Sequence, residues 1–149
     1  MSDSNSNPTM QAFGYPETVV AEYRHWVVLL RPQQTTLGAL VLVARSTATR
    51  FSDLDPAAFA EMNTAIEDIE NTLSVQFTYE KINYLMLMMV DPNVHFHVLP
   101  RYAEMQTFEG VTFMDPGWPR APDLGHAAAM DDTIRTTLID RLRLVWPKR

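Results

Sequence analysis

The sequence predicts an α+β fold, a small antiparallel sheet with helices packed on it, and two periodicities carry that prediction. Apolar, β-branched runs recur between residues 14 and 45 and again between 79 and 99, whereas residues 54–73 and 134–145 repeat their apolar positions every three or four residues. The first pattern is that of strands and the second that of amphipathic helices. A chain of 149 residues suits one domain. The expected division is a flexible polar tail over residues 1–12, opening "MSDSNSNPTM", and a single domain over residues 13–149.

Taken in order, "ETVVAEY", "HWVVLLR" and "ALVLVAR" read as three strands in a meander, broken at Tyr23–His25 and at "PQQTTLG". At "DLDPAAF" the period changes. Asp55 suits a helix cap and Pro56 the first turn, and Phe59, Met62, Ile66, Ile69 and Leu73 form the stripe expected to face the core. Two further strands follow, "YEKINYLMLMM" and "NVHFHVL", so the helix is a crossover within one sheet. The Gly- and Pro-rich "FEGVTFMDPGWPRAPDLG" reads as a long loop, with Trp118 available to close over a ligand, meet a partner or pin the loop. A last helix is expected to bury Ile134, Leu138, Leu142 and Val145, with Trp146 at its end.

Composition narrows the function. The net charge is −6, with two lysines among twelve basic residues, which argues against a protein that grips nucleic acid by neutralising phosphates. No apolar stretch approaches a membrane span and no secretory signal opens the chain, so no membrane association is expected. The absence of cysteine excludes disulfides and thiolate metal sites and fits a cytoplasmic protein.

Two of the four histidines stand in "DPNVHFHVLPRY". On a strand, Asn93, His95, His97 and Leu99 share one face, with the two imidazole-bearing Cα atoms roughly 6–7 Å apart. Three readings compete. The pair could be hydrogen-bonded polar positions on a half-exposed face. It could supply two metal ligands, although the next carboxylate, Glu104, lies beyond Pro100 and Arg101 and no third ligand can be named. Or one neutral imidazole attacks phosphorus while the other steadies a phosphoryl oxygen or leaving group. The attacking ring then needs a fixed acceptor for its other nitrogen, either Asn93 or a main-chain carbonyl. Arg101 offers a planar fork for a phosphate or a carboxylate brace. The polar turn at Gln33–Thr36 is within reach of phosphates, and His25 and His126 read as surface residues.

At these residues the chain resembles a family. "NVHFHVLPR" is similar to the signature of the histidine triad (HIT) nucleotide hydrolases and transferases, His-x-His-x-His-x-x followed by Pro-Arg. "HWVVLLRPQQTTLGALVLV", "DLDP" and "KINY" extend the likeness over about residues 14–102, nearest the bacterial dinucleoside polyphosphate hydrolases. The resemblance implies a HIT-like five-stranded antiparallel sheet with a crossover helix and a C-terminal helix, in a homodimer. It implies that His95 attacks the α-phosphate of a dinucleoside polyphosphate or nucleoside phosphoramidate, and that His97 contacts the phosphate and leaving group. It puts Asn93 at the first histidine of the triad, Leu29 on the wall against the base, and Arg31 near an asparagine that holds the ribose. Arg31, Gln33 and Arg101 are thus substrate-binding candidates, with Arg31 suited to a phosphate. Met88–Met89 stand where relatives often carry Gly-Asn. No cofactor or resident metal is expected, although a divalent ion could accompany a polyphosphate. A nucleotidyl transferase and a catalytically weak nucleotide-binding module are the alternatives.

Overall fold

The computed structural model describes residues 6–149. Strands β1 (Val19–Glu22), β2 (Trp26–Leu30) and β3 (Leu40–Ala44) form the meander, and helix α2 (Pro56–Gln76) carries the chain across to β4 (Lys81–Leu85) and β5 (His95–Arg101). A five-residue helix, α1 (Pro8–Ala12), precedes the sheet and α3 (Asp132–Val145) ends the fold. The five strands lie in the order β1-β2-β3-β5-β4, every neighbouring pair antiparallel. β5 is therefore inserted between β3 and β4, an interior position that holds its side chains rigidly from both sides.

Alternation along the strands divides the apolar side chains between two faces. Trp26, Val28, Leu30, Leu40, Leu42 and Val98 pack against α2 and α3 in the main core. Val27, Leu29, Val41 and Val43 point the other way, into a smaller cluster with Met10 and Val19. Registers Val41↔His97 and Val43↔His95 put both histidines on this second face.

That second face is where the tail expectation is corrected. Residues 1–5 lie outside the described residues, but Asn7, Thr9 and Met10 are buried rather than part of a loose tail. Asn7 caps α1 by accepting from the Met10 amide, Pro8 occupies the first turn, and the Asn7 amide donates to the carbonyls of Ala44 (2.7 Å) and Ser46 (2.9 Å). Met10 then seals the apolar patch between β2 and β3.

Three other expectations change in detail. On α2 the buried stripe is Ala58, Ala65, Ile69, Thr72 and Leu73; Met62 and Ile66 flank it and Phe59 is 41% exposed, in tilted contact with Phe51. The helix thus turns small residues toward the sheet, which permits close approach. On α3, Leu138, Ile139 and Leu142 are buried and Val145 is 39% exposed. Trp146 takes the core position, donating to the Tyr23 hydroxyl, which donates in turn to the buried Asp68 that Arg149 grips through two nitrogens. Finally, the segment read as loop opens inside a hairpin, β6 (Gln106–Phe108) and β7 (Val111–Phe113). Its two-residue turn, Glu109–Gly110, has φ of 50° and 80°, the geometry that matches strand twist.

Candidate active site

β5 begins at His95, so Asn93 stands just before the strand and not on it. The His95 and His97 rings lie edge to face with centroids 5.2 Å apart. Phe13, immediately after α1, touches both, at 5.7 and 5.6 Å. His95 is 2% exposed and His97 8%.

Their partners give the two rings opposite tautomers. His95 Nδ1 lies 2.7 Å from the Asn93 main-chain oxygen, which only accepts, so Nδ1 carries the proton and the lone pair is on Nε2. His97 Nδ1 lies 3.3 Å from Arg31 Nε, which only donates, so Nδ1 accepts and the proton is on Nε2. Of the two acceptors the sequence offered for His95, the main-chain carbonyl is the one used.

The Asn93 side chain has a different task. Its Oδ1 accepts from the Thr9 amide (3.3 Å) and hydroxyl (3.0 Å) and its Nδ2 donates to the Thr47 carbonyl (3.1 Å), while the Asn93 main-chain N–H donates to Thr9 Oγ1 (3.0 Å). A primary amide can accept and donate at once, so this one side chain ties α1 to the loop after β3. Because the same residue supplies the carbonyl that orients His95, α1 and the imidazole share an anchor.

The remaining candidates separate. Arg31 is at the site: besides His97 it holds the Gln33 carbonyl and the Thr35 hydroxyl through Nη1, both at 2.7 Å. Gln33 itself is exposed at the turn. Leu29 is fully buried and stands in register with Val41, which pairs with His97, so it belongs to the apolar floor beside the imidazoles. Arg101 is on β5 and not past it, and its guanidinium is committed. Nε and Nη2 hold Asp115 at 2.7 and 3.0 Å, Nη1 holds Asn83 at 2.8 Å, and both ionic side chains are at most 4% exposed. It is the carboxylate brace. Trp118 lines a cleft of about 420 Å³ with Lys81, Asn83, Arg101 and Arg120, at the far end of β5 from His95. Met88, in the connection from β4 to β5, holds φ of 50°, a conformation that glycine adopts without strain.

Sequence reasoning missed Thr9 and Phe13. A signal existed for both: Asn7–Pro8 repeats the cap-then-proline opening of Asp55–Pro56.

Burial, the nearby Arg31 guanidinium and His95, in that order, hold the His97 pKa down to about 4, from an ordinary 6.5. His97 is therefore neutral at physiological pH. The unfolded chain takes up this proton as pH falls through 6.5 and the folded protein resists until about 4, so stability is full above that window and is lost on descending through it. The guanidinium chloride midpoint is expected to fall between pH 7 and pH 4.5, and His97→Gln to narrow the fall. An equal fall in both proteins would mean that His97 titrates normally.

The model of the HIT domain matches residues 13–104. This chain belongs to the HIT family. A histidine triad protein from Bradyrhizobium japonicum is 25% identical, with a TM-score of 0.67 over 85% of this chain and 87% of that one. Histidine triad proteins from Sinorhizobium meliloti (19% identity, TM-score 0.70, 91% and 92% covered) and Marinobacter aquaeolei (20%, 0.68, 86% and 87%) share the HIT fold. No curated protein matches the sequence. Members of the HIT family are usually nucleotide hydrolases or transferases, and the five-stranded antiparallel sheet with its helices matches the fold of the HIT neighbours. Among the described residues no group of three or more His, Asp or Glu side chains is arranged to hold a metal ion, and no helix is long and apolar enough to cross a membrane.

Proposed function

We propose that this HIT protein hydrolyses nucleotides at the α-phosphate, through a nucleotidyl-histidine intermediate on His95. The opposed tautomers of His95 and His97 are the observation that carries the reading. His95 Nε2 has a lone pair and attacks phosphorus; the N–P bond forms, the bond from phosphorus to the leaving group breaks, and its electrons depart with the leaving group. His97 Nε2–H donates to the charge that develops there. Water then attacks phosphorus, the N–P bond breaks, one water proton passes to solvent, and the lone pair returns to His95. No cofactor takes part, and a divalent ion would enter only with a polyphosphate.

The substrates are dinucleoside polyphosphates or nucleoside phosphoramidates. Leu29 would back the base pocket from the apolar floor beneath it, while Gln33 and the Nη2 of Arg31, which the bonds to His97, Gln33 and Thr35 leave over, would face phosphate. Arg101 leaves this list, since Asp115 and Asn83 occupy its donors. Asn93 takes the place of the first triad histidine and trades a titratable ring for an amide that anchors α1. The protein acts as a cytoplasmic homodimer, a reading supported by the open edge of β4 and the exposed Leu87, Met89 and Val90 that follow it.

The test is to incubate the purified protein with diadenosine tetraphosphate and, separately, with adenosine 5′-phosphoramidate, and to follow AMP release. AMP from at least one substrate is expected. A binding-only module is favoured by one feature, the cover of Phe13 over both imidazoles. Nucleotide binding without AMP from either substrate would establish it instead.

A further inference from the structure

We propose that Arg31 is a positioning residue that keeps His97 a neutral hydrogen-bond donor, and thereby selects leaving groups that depart without a proton, phosphoanhydrides over phosphoramidates. The inference rests on the hydrolase reading above and sharpens its substrate class.

The geometry is a contact across 66 residues of chain, in which Arg31 Nε–H points at His97 Nδ1. The guanidinium is itself fixed, by the Gln33 carbonyl and the Thr35 hydroxyl on Nη1, so it does not swing aside. A second proton on His97 would have to go on Nδ1. There it would meet an N–H that already occupies the lone pair and a cation that stays charged. The other groups facing His97 offer no relief: Phe13 is apolar, Val41 and Leu85 are its strand neighbours, and His95 is a second imidazole. Burial first, and the Arg31 charge second, depress the basicity of His97, which agrees with this arrangement.

The consequence is chemical. When the P–O bond of a phosphoanhydride breaks, the departing nucleotide leaves as a phosphate anion that is stable without a proton. A hydrogen bond from His97 Nε2–H is all that it needs. When the P–N bond of a phosphoramidate breaks, the amine must gain a proton as it leaves. Neutral His97 could give up only its Nε2 proton, becoming an imidazolate, whereas an imidazolium would donate it readily. By blocking the imidazolium, Arg31 handicaps the second class and leaves the first untouched.

Two measurements test this. The first compares kcat/KM for diadenosine tetraphosphate and adenosine 5′-phosphoramidate from pH 5 to 8 in the wild type and in Arg31→Met. The wild type should favour the anhydride, with amidate turnover gaining on it as pH falls. Arg31→Met should shift the ratio toward the amidate by about tenfold or more and move the amidate's pH optimum upward. An unchanged ratio and profile, or a wild type that prefers the amidate at pH 7, overturns the selectivity. The second needs no turnover: ¹⁵N NMR of the imidazoles in the wild-type protein. His97 should show a bare Nδ1 and a protonated Nε2 from pH 8 down to about 5, and a protonated Nδ1 at pH 7 overturns the proposal even if Arg31→Met does not fold. Absence of turnover on both substrates overturns the hydrolase reading and the selectivity together, while the NMR result separately decides whether His97 holds the tautomer that the Arg31 contact requires.

Discussion

His95→Ala is expected to lower AMP release by a factor on the order of 10⁴ or more, because deletion of an attacking group leaves only binding and electrostatic stabilisation to act on solvent water. Substrate labelled at the α-phosphate should also leave label on the wild-type protein after rapid denaturation at alkaline pH, and none on the variant. The two readouts together separate nucleophilic loss from general damage. His95 is buried between Phe13 and His97, so its truncation opens a cavity and costs stability. His95→Gln, which roughly preserves volume, should remain folded and equally unable to take the label. Label on either variant would move the nucleophile elsewhere.

The second large effect is on folding. Asp115→Ala should destabilise the protein by about 3–5 kcal/mol, since it leaves the Arg101 guanidinium buried with Asn83 as its remaining side-chain partner. The Tyr102 amide, which also donates to Asp115 at 3.1 Å, would lose its acceptor as well. For a chain of this size such a loss corresponds to a fall in Tm of roughly 6–20 °C. The apolar pair Arg101→Met with Asp115→Leu should recover much of it, because removing both charges abolishes the desolvation cost that removing one exposes. A loss below about 1 kcal/mol in Asp115→Ala, measured by denaturant titration, would mean that water reaches the guanidinium and that the brace contributes little.

How far the sequence could be read depended on whether the decisive contact was local. The strands were legible because "HWVVLLR" and "ALVLVAR" concentrate β-branched residues in short runs, and α2 because Asp55 and Pro56 announce its start. The shared face of His95 and His97 followed from alternation alone. What stayed hidden joins distant segments. No local pattern tells that Arg31 meets His97 or that Thr9 meets Asn93, 84 residues away. Phe59 was misassigned because period alone does not say which edge of an apolar stripe the sheet will choose, and Ala58 and Ala65 won that contest by being small. The 106–113 hairpin was overlooked since its turn is Glu-Gly and not the Asn-Gly or Asp-Gly that usually marks such turns. A five-residue helix such as α1 is too short to display a period at all.

The anchoring of α1 decides where this protein can be cut. A chain begun at residue 13, the boundary that composition suggests, would lose Met10 from above Val27, Leu29, Val41 and Val43 and strip Asn93 of Thr9. The newly bared strip of valine and leucine would be a sticky seam for other chains, and the carbonyl that aims His95 would sit on a residue with one fewer tether. Shortened or proteolysed preparations are thus liable to pass for an inert, aggregating protein. The residues from Asn7 onward are part of the working half of the molecule.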